Sequence, residues 1–119
     1  MARKVTKSGM KRKLDKLCSE IVRSRGFCAR CRKDDYEKLQ TAHIFSRTYN
    51  AVRYDIDCNL LCLCASCHWY FHKNPIIFGE WVRDHLGETR YALLKSRANS
   101  IKKWTVEEMQ ELYETLRRA

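Results

Sequence analysis

Cys28-Ala29-Arg30-Cys31 and Cys64-Ala65-Ser66-Cys67 are two C-x-x-C turns separated by 32 residues. Two sulfurs of one tight turn can reach a single tetrahedral ion, so the two turns together make a closed four-cysteine set of the structural zinc type. Closed coordination leaves no position for a reactant, and such a zinc fastens a fold without doing chemistry. The chain holds seven cysteines, an odd number that a disulfide framework does not absorb. Cys18, Cys58 and Cys62 are left over and read as small apolar residues. Directly after the second turn, His68 and His72 stand i and i+4. On a helix both imidazoles project from one face and can hold one cation.

His43 stands alone in Leu39 to Arg47, a short stretch of partly alternating apolar character. A strand–strand–helix unit closed by the four cysteines would bring that strand beside the helix, leaving an uncoordinated His43 near a cation held by His68 and His72. That is a hydrolase layout: a neutral imidazole can take a proton from an attacking water while the cation stabilises the phosphorane and the leaving 3′ oxygen. Asn59 could orient the His43 ring by accepting from a ring N–H, or could itself ligate the metal. Arg47 and Arg53 flank the centre and could clamp a phosphate bidentately, with Lys73 a weaker case of the same kind. His85, following Asp84, reads as a solvent-face residue.

The elements that must position these groups follow from periodicity. Residues 1–10 read as a mobile basic arm. Leu14, Leu17, Cys18, Ile21 and Val22 predict an amphipathic helix over 11–26, ended by Gly26, with Lys11, Arg12, Lys13, Lys16 and Arg23 on its other face. A charged loop over 32–38, a strand over 39–47, a loop over 48–57, a strand over 59–63 and a helix over 67–73 complete a core at 28–73. Residues 75–119 read as a helical extension: Ile76, Ile77, Trp81, Val82 and Leu86 form one stripe before Gly87, and Tyr91, Leu93, Leu94 and Ala98 a second. Thr105-Val106-Glu107-Glu108 is a capping box ahead of Met109, Leu112, Tyr113 and Leu116.

A chain of 119 residues is one domain's worth, with no room for a separate substrate lobe. Of 24 Lys and Arg, 12 lie in residues 1–33 against Asp15 and Glu20, so the whole net charge of +10 sits there. A basic segment beside a neutral body fits a polyanion, DNA first, because each cation on a phosphate releases counterions. Apolar runs such as Leu60 to Ala65 fall far short of the roughly 20 residues of a membrane helix, and Met1 to Lys16 has no apolar signal core. The expectation is a cytoplasmic protein with no membrane partner.

The run C-x-x-C, Ala42-His43-Ile44, then Asn59-Leu60-Leu61-Cys62-Leu63-Cys64-x-x-Cys67-His68 resembles the HNH endonuclease family over residues 28–72. His43-Ile44-Phe45-Ser46-Arg47, Val52-Arg53-Tyr54-Asp55 and Lys103-Trp104-Thr105-Val106-Glu107-Glu108 are similar to the NinG/Rap recombination nucleases of lambdoid phages, which extends the likeness to most of the chain. The resemblance implies an α+β, mainly helical fold with a small ββα-metal core of treble-clef type. It makes His43 the general base, Asn59 the middle residue of the motif, and His68 or His72 the ligand of the catalytic cation; the His-x-x-x-His ending is similar to that of the colicin DNases, where both bind. It further implies branched substrates such as D-loops and Holliday junctions, host-cell cytoplasm if phage-encoded, and phage recombination or packaging proteins as partners. A junction cut on two arms would suit a homodimer.

Ala42 departs from the family pattern, in which the residue before the base is Asp or His and supplies a metal ligand. Two protein ligands completed by water and a phosphate suit Mg²⁺ or Mn²⁺, whereas paired imidazoles favour Ni²⁺, Co²⁺ or Zn²⁺. Two rivals stand beside the nuclease. One is a zinc-stabilised nucleic-acid-binding module that cuts nothing, supported by Ala42; the other is an adaptor that uses the helical tail as its contact surface.

Overall fold

Helix α1, Lys7–Arg23, begins inside the stretch expected to be a mobile arm. Thr6 caps it, its Oγ1 accepting from the Gly9 N–H at 3.1 Å, and Met10 opens a buried stripe continued by Leu14, Cys18 and Val22 at every fourth position. The computed structural model describes residues 4–118, so residues 1–3 of the expected arm lie outside the described residues. The helix also ends earlier than Gly26: Ser24 is its C-cap, and Gly26, at φ 87°, instead takes the positive-φ turn that leads the chain to the first cysteine pair.

Two strands follow, β1 (Leu39–His43) and β2 (Leu60–Cys64), paired antiparallel with Leu39 opposite Cys64 and His43 opposite Leu60. β1 stops at His43 instead of running to Arg47, and β2 is displaced by one residue from the expected 59–63. The loops at 32–38 and 48–57 each contain one short 3-10 turn, Tyr36–Lys38 and Asn50–Val52. Helix α2, Ala65–Lys73, starts two residues before the expected position. α1 and α2 both pack on the sheet, which is why β2, Leu-Leu-Cys-Leu-Cys, is buried at all five positions. Period two then sorts β1: Thr41 meets Ser19 of α1, and Gln40 meets His68 of α2.

α3 (Pro75–Leu86) starts with Pro at its first position, where no N–H is needed, and Gly87 at φ 84° turns the chain into α4 (Glu88–Ala98). α5 (Val106–Arg118) opens on the capping box: Thr105 Oγ1 accepts from Glu108 N at 3.1 Å, and Glu108 Oε1 accepts from Thr105 N at 3.0 Å. The Lys102 ammonium and that backbone N–H hold the Glu108 carboxyl down at about 2. α5 packs along α1 with Met109 fully buried, and Trp104 ties the approach to the core, donating to the Asn50 carbonyl at 2.9 Å and meeting Tyr54 edge-on. Among the described residues no helix is long and apolar enough to cross a membrane.

Candidate active site and metal centres

The four Sγ atoms of Cys28, Cys31, Cys64 and Cys67 lie within 4.8 Å of one another. A tetrahedral zinc with bonds of about 2.3 Å sets its sulfurs about 3.8 Å apart, and Cys31 Sγ stands 3.6 Å from Cys64 Sγ, so the donor set fits the ion. By themselves four thiols this close cannot all ionise. Burial pushes the Cys67 thiol up to about 12, with its three neighbours adding to the rise. Cys28 is also pushed up by burial, but N–H groups of Cys31, Cys64 and Arg30 outweigh this and bring it down to about 6. A dication is what lets all four stand as thiolates. Arg30 adds its own charge, donating through Nη1 to Cys67 Sγ at 3.5 Å. Cys64 does three jobs at once: it ends β2, it belongs to the cysteine cluster, and its Sγ accepts from Cys67 N at 3.4 Å as the N-cap of α2.

That cap fixes where His68 and His72 stand, one and two turns further along α2. With His43, from the end of β1, they line a cleft of about 580 Å³ whose other wall is Asp15, Cys18 and Ser19 of α1. Burial holds the His43 imidazole below its ordinary range, and the Arg47 guanidinium adds to this, with Asp15 pulling the other way. His68 is lowered as well, by burial and then by His72. Its Nδ1 lies 2.8 Å from Gln40 Oε1, a contact that makes Nδ1 the protonated nitrogen and leaves Nε2 as the donor for a cation. Gln40 gave one sequence signal, its position two residues before Ala42 and therefore on the same side of β1. His68 and His72 stand one turn apart on α2 and both line the cleft, so a cation there would have them as its protein ligands. Among the described residues only the four cysteines form a cluster of three or more His, Cys, Asp or Glu donors. Ala42 is buried and lines a second cavity with His68 and His72, so nothing at that position donates.

Asn59 is placed differently from either expected role. Fully buried, it accepts from Phe45 N at 2.8 Å through Oδ1 and donates through Nδ2 to the carbonyls of Phe45 at 3.0 Å and Val52 at 3.1 Å. With both ends of its amide engaged on backbone, it neither accepts from the His43 ring nor offers itself to a metal. It clamps the loop that follows β1. Since Phe45 spends both backbone groups on this side chain, the ladder cannot run on toward Arg47, which explains the short strand.

Arg53 is likewise turned away from the expected phosphate. Its fork is bidentate on Asp15, Nε to Oδ1 at 3.2 Å and Nη2 to Oδ2 at 2.7 Å, and Nη1 donates to the Arg47 carbonyl. Arg47 keeps a looser contact with Asp15 at 3.7 Å and stays exposed, so it is the arginine presented at the cleft. Asp15, an isolated acid in a basic run, was the residue that sequence reasoning missed here. Lys73 lies with its ammonium 5.6 Å from the centroid of the exposed Trp69 ring. Of the basic face of α1, Arg12 and Lys16 are exposed and Lys11 is half-buried, while Lys13 reaches toward Tyr113 of α5. Cys18 behaves as a buried apolar residue, its thiol pushed up to about 12 by burial and by Asp15.

The strand–strand–helix unit thus carries four clustered cysteines that could hold a structural metal ion such as zinc, and three histidines that line one cleft. Residues 28–79, less than half of the chain, match the family model of the HNH endonuclease, and the match contains both cysteine pairs, His43, Asn59, His68 and His72. No curated protein and no solved structure matches the chain.

Proposed function

We propose that the protein is a metal-dependent DNA endonuclease of the HNH kind that hydrolyses phosphodiester bonds. The observation that carries this is the meeting of His43 from β1 with His68 and His72 from α2 in one cleft, inside the stretch that matches the HNH endonuclease family. His43, held neutral at physiological pH by burial and Arg47, takes a proton from the attacking water. Arg47 holds a phosphate oxygen at the cleft mouth, and Gln40 keeps the His68 ring in the tautomer that points Nε2 outward. His68 and His72 would hold a divalent cation, Mg²⁺ or Mn²⁺ or a softer ion such as Ni²⁺, Co²⁺ or Zn²⁺, which would supply charge stabilisation for the phosphorane and the leaving oxygen. Asn59 is a positioning residue that fixes the loop carrying Arg47. The likeness to the NinG/Rap recombination nucleases adds branched DNA as the preferred substrate, a homodimer cutting two arms, phage recombination or packaging proteins as partners, and the cytoplasm as the place of action.

A nucleic-acid-binding module that holds DNA without cutting it is the second reading, favoured by the donor-less Ala42 beside His68 and His72. The deciding experiment is a nicking assay on supercoiled plasmid and a four-way junction. Zinc-loaded protein is supplied with Mg²⁺, Mn²⁺, Ni²⁺, Co²⁺ or Zn²⁺, and wild type is run beside His43→Ala. Metal-dependent cutting that disappears in a folded, DNA-binding His43→Ala variant establishes the nuclease. No cutting with any metal, and equal junction binding by both proteins, establishes the module.

A further inference from the structure

Trp69 is 63% exposed on α2, the helix that carries both imidazoles of the cation site. Packing does not account for it, because the core-facing residues of α2 are Cys67 and Phe71. Trp is well buried on average, so an indole left in solvent on the helix that supplies His68 and His72 to the cleft is an observation that needs a reason. Its ring leans on His72, with centroids 6.1 Å apart and planes 23° apart, and Lys73 brings an ammonium to 5.6 Å. With Gln40, Ala65, His68 and His72 it lines a hollow of about 330 Å³, within the range of roughly 300–1,000 Å³ of small-ligand clefts. Gln40 uses its Oε1 on His68, and its amide N–H donors have no protein partner among the described residues.

We infer that Trp69 is the platform of a subsite for an unpaired nucleobase next to the scissile phosphate. In an intact duplex every base face is covered by its neighbours, and only edges and phosphates are presented. An exposed indole therefore finds no base face to stack on until a base leaves the helix, as at a flap, a fork, a bulge or a junction branch. The neighbouring groups match the remainder of one nucleotide: the Lys73 ammonium suits its phosphate and the Gln40 amide suits acceptors on a base edge. Stacking is indifferent to base identity, since every base has a π face, so the subsite selects DNA structure and leaves sequence open. The inference rests on the nuclease reading and deepens it by giving this chain a physical means of preferring distorted DNA.

The test uses the full chain with its zinc in a His43→Ala background, so that DNA stays intact during measurement. Binding is followed for a short duplex and for the same duplex carrying an unpaired 2-aminopurine, with Trp69→Phe and Trp69→Leu compared with the parent. The expected result is quenching of 2-aminopurine emission by the parent and by Trp69→Phe but not by Trp69→Leu. Affinity for the bulged DNA should fall about 5- to 150-fold in Trp69→Leu, against less than about twofold for the plain duplex. Equal losses on the two DNAs, no loss on either, or unquenched 2-aminopurine would each overturn the subsite. Quenching through Trp69 by a protein whose wild type cuts nothing would remove the nuclease and leave the subsite standing. Cutting by wild type without quenching would remove the subsite alone.

Discussion

Replacing Asn59 by Ala should cost stability first and activity as a consequence. The side chain makes three hydrogen bonds to backbone, and truncation leaves the Phe45 N–H, the Phe45 carbonyl and the Val52 carbonyl without it. Water can reach the Phe45 groups, which are only partly buried, so each loses about 0.5–1 kcal/mol; the Val52 carbonyl is buried and loses about 1–2 kcal/mol. The total is about 3 kcal/mol, which for a chain of 119 residues lowers Tm by about 10–15 °C. Asn59→Asp should be worse at neutral pH, since it sets a carboxylate oxygen against two carbonyls. Urea titration measures the loss. Nicking at a temperature where the variant is still folded measures what release of the Arg47 loop does to kcat, which should fall several-fold while cation affinity at His68 and His72 holds. An Asn59→Ala protein within about 1 kcal/mol of wild type yet unable to cut would refute the reasoning, because the side chain would then act on the reacting atoms and not on the loop.

Three further outcomes are expected. Since burial and Arg47 lower the His43 imidazole and the base works deprotonated, the acid limb of kcat/KM should have its midpoint below the ordinary histidine value of about 6.5. Arg47→Gln removes a positive charge and should move that midpoint up; a pH–rate profile that moves the other way contradicts the assignment. Arg53→Ala should destabilise by about 1–3 kcal/mol in urea, as it leaves the half-buried Asp15 unpaired, whereas Arg47→Ala should scarcely change stability and should reduce the salt dependence of DNA binding. Metal analysis should find one tightly held zinc per chain, and Cys64→Ser should lose it together with the helical signal of α2 and nicking; a zinc-free, fully folded variant would show that the cluster is dispensable.

How far the chain could be read in advance follows the range of the interactions concerned. The cysteine turns, Pro75, Gly87 and the capping box at Thr105 are local, each closed within about five residues, and the structure places each as an element boundary or a cluster member. α1 starts earlier than its apolar periodicity indicates because residues 7–9, Lys-Ser-Gly, have no apolar member and include the poor helix formers Ser8 and Gly9; Thr6 as a cap and the burial of Met10 carry them, and only the first of these has a sequence signature. The end of β1, the work of Asn59 and the partner of Arg53 are long-range facts, joined over 14, 14 and 38 residues, and no periodicity announces them. Asn59 in particular has the composition of a ligand and the surroundings of a clamp, a distinction that only burial can make.

The cysteine cluster and the proposed cation site are coupled through the chain. The cysteine cluster joins a turn after α1 to the β2–α2 junction, and at that junction Cys64 is at once the last residue of the strand, a member of the cluster and the N-cap. His68 and His72 lie four and eight residues beyond it, so the phase of the helix, and with it the direction of both imidazoles, is set by where the sulfur is held. β1 reaches the same point from the other side, since Leu39 pairs with Cys64 and His43 is carried four residues along the ladder to the cleft. His43, the proposed base, and His68 and His72, the proposed cation ligands, are therefore referred to one residue, and a change at the cysteine cluster is expected to disturb the cleft even though it touches none of the groups that line it.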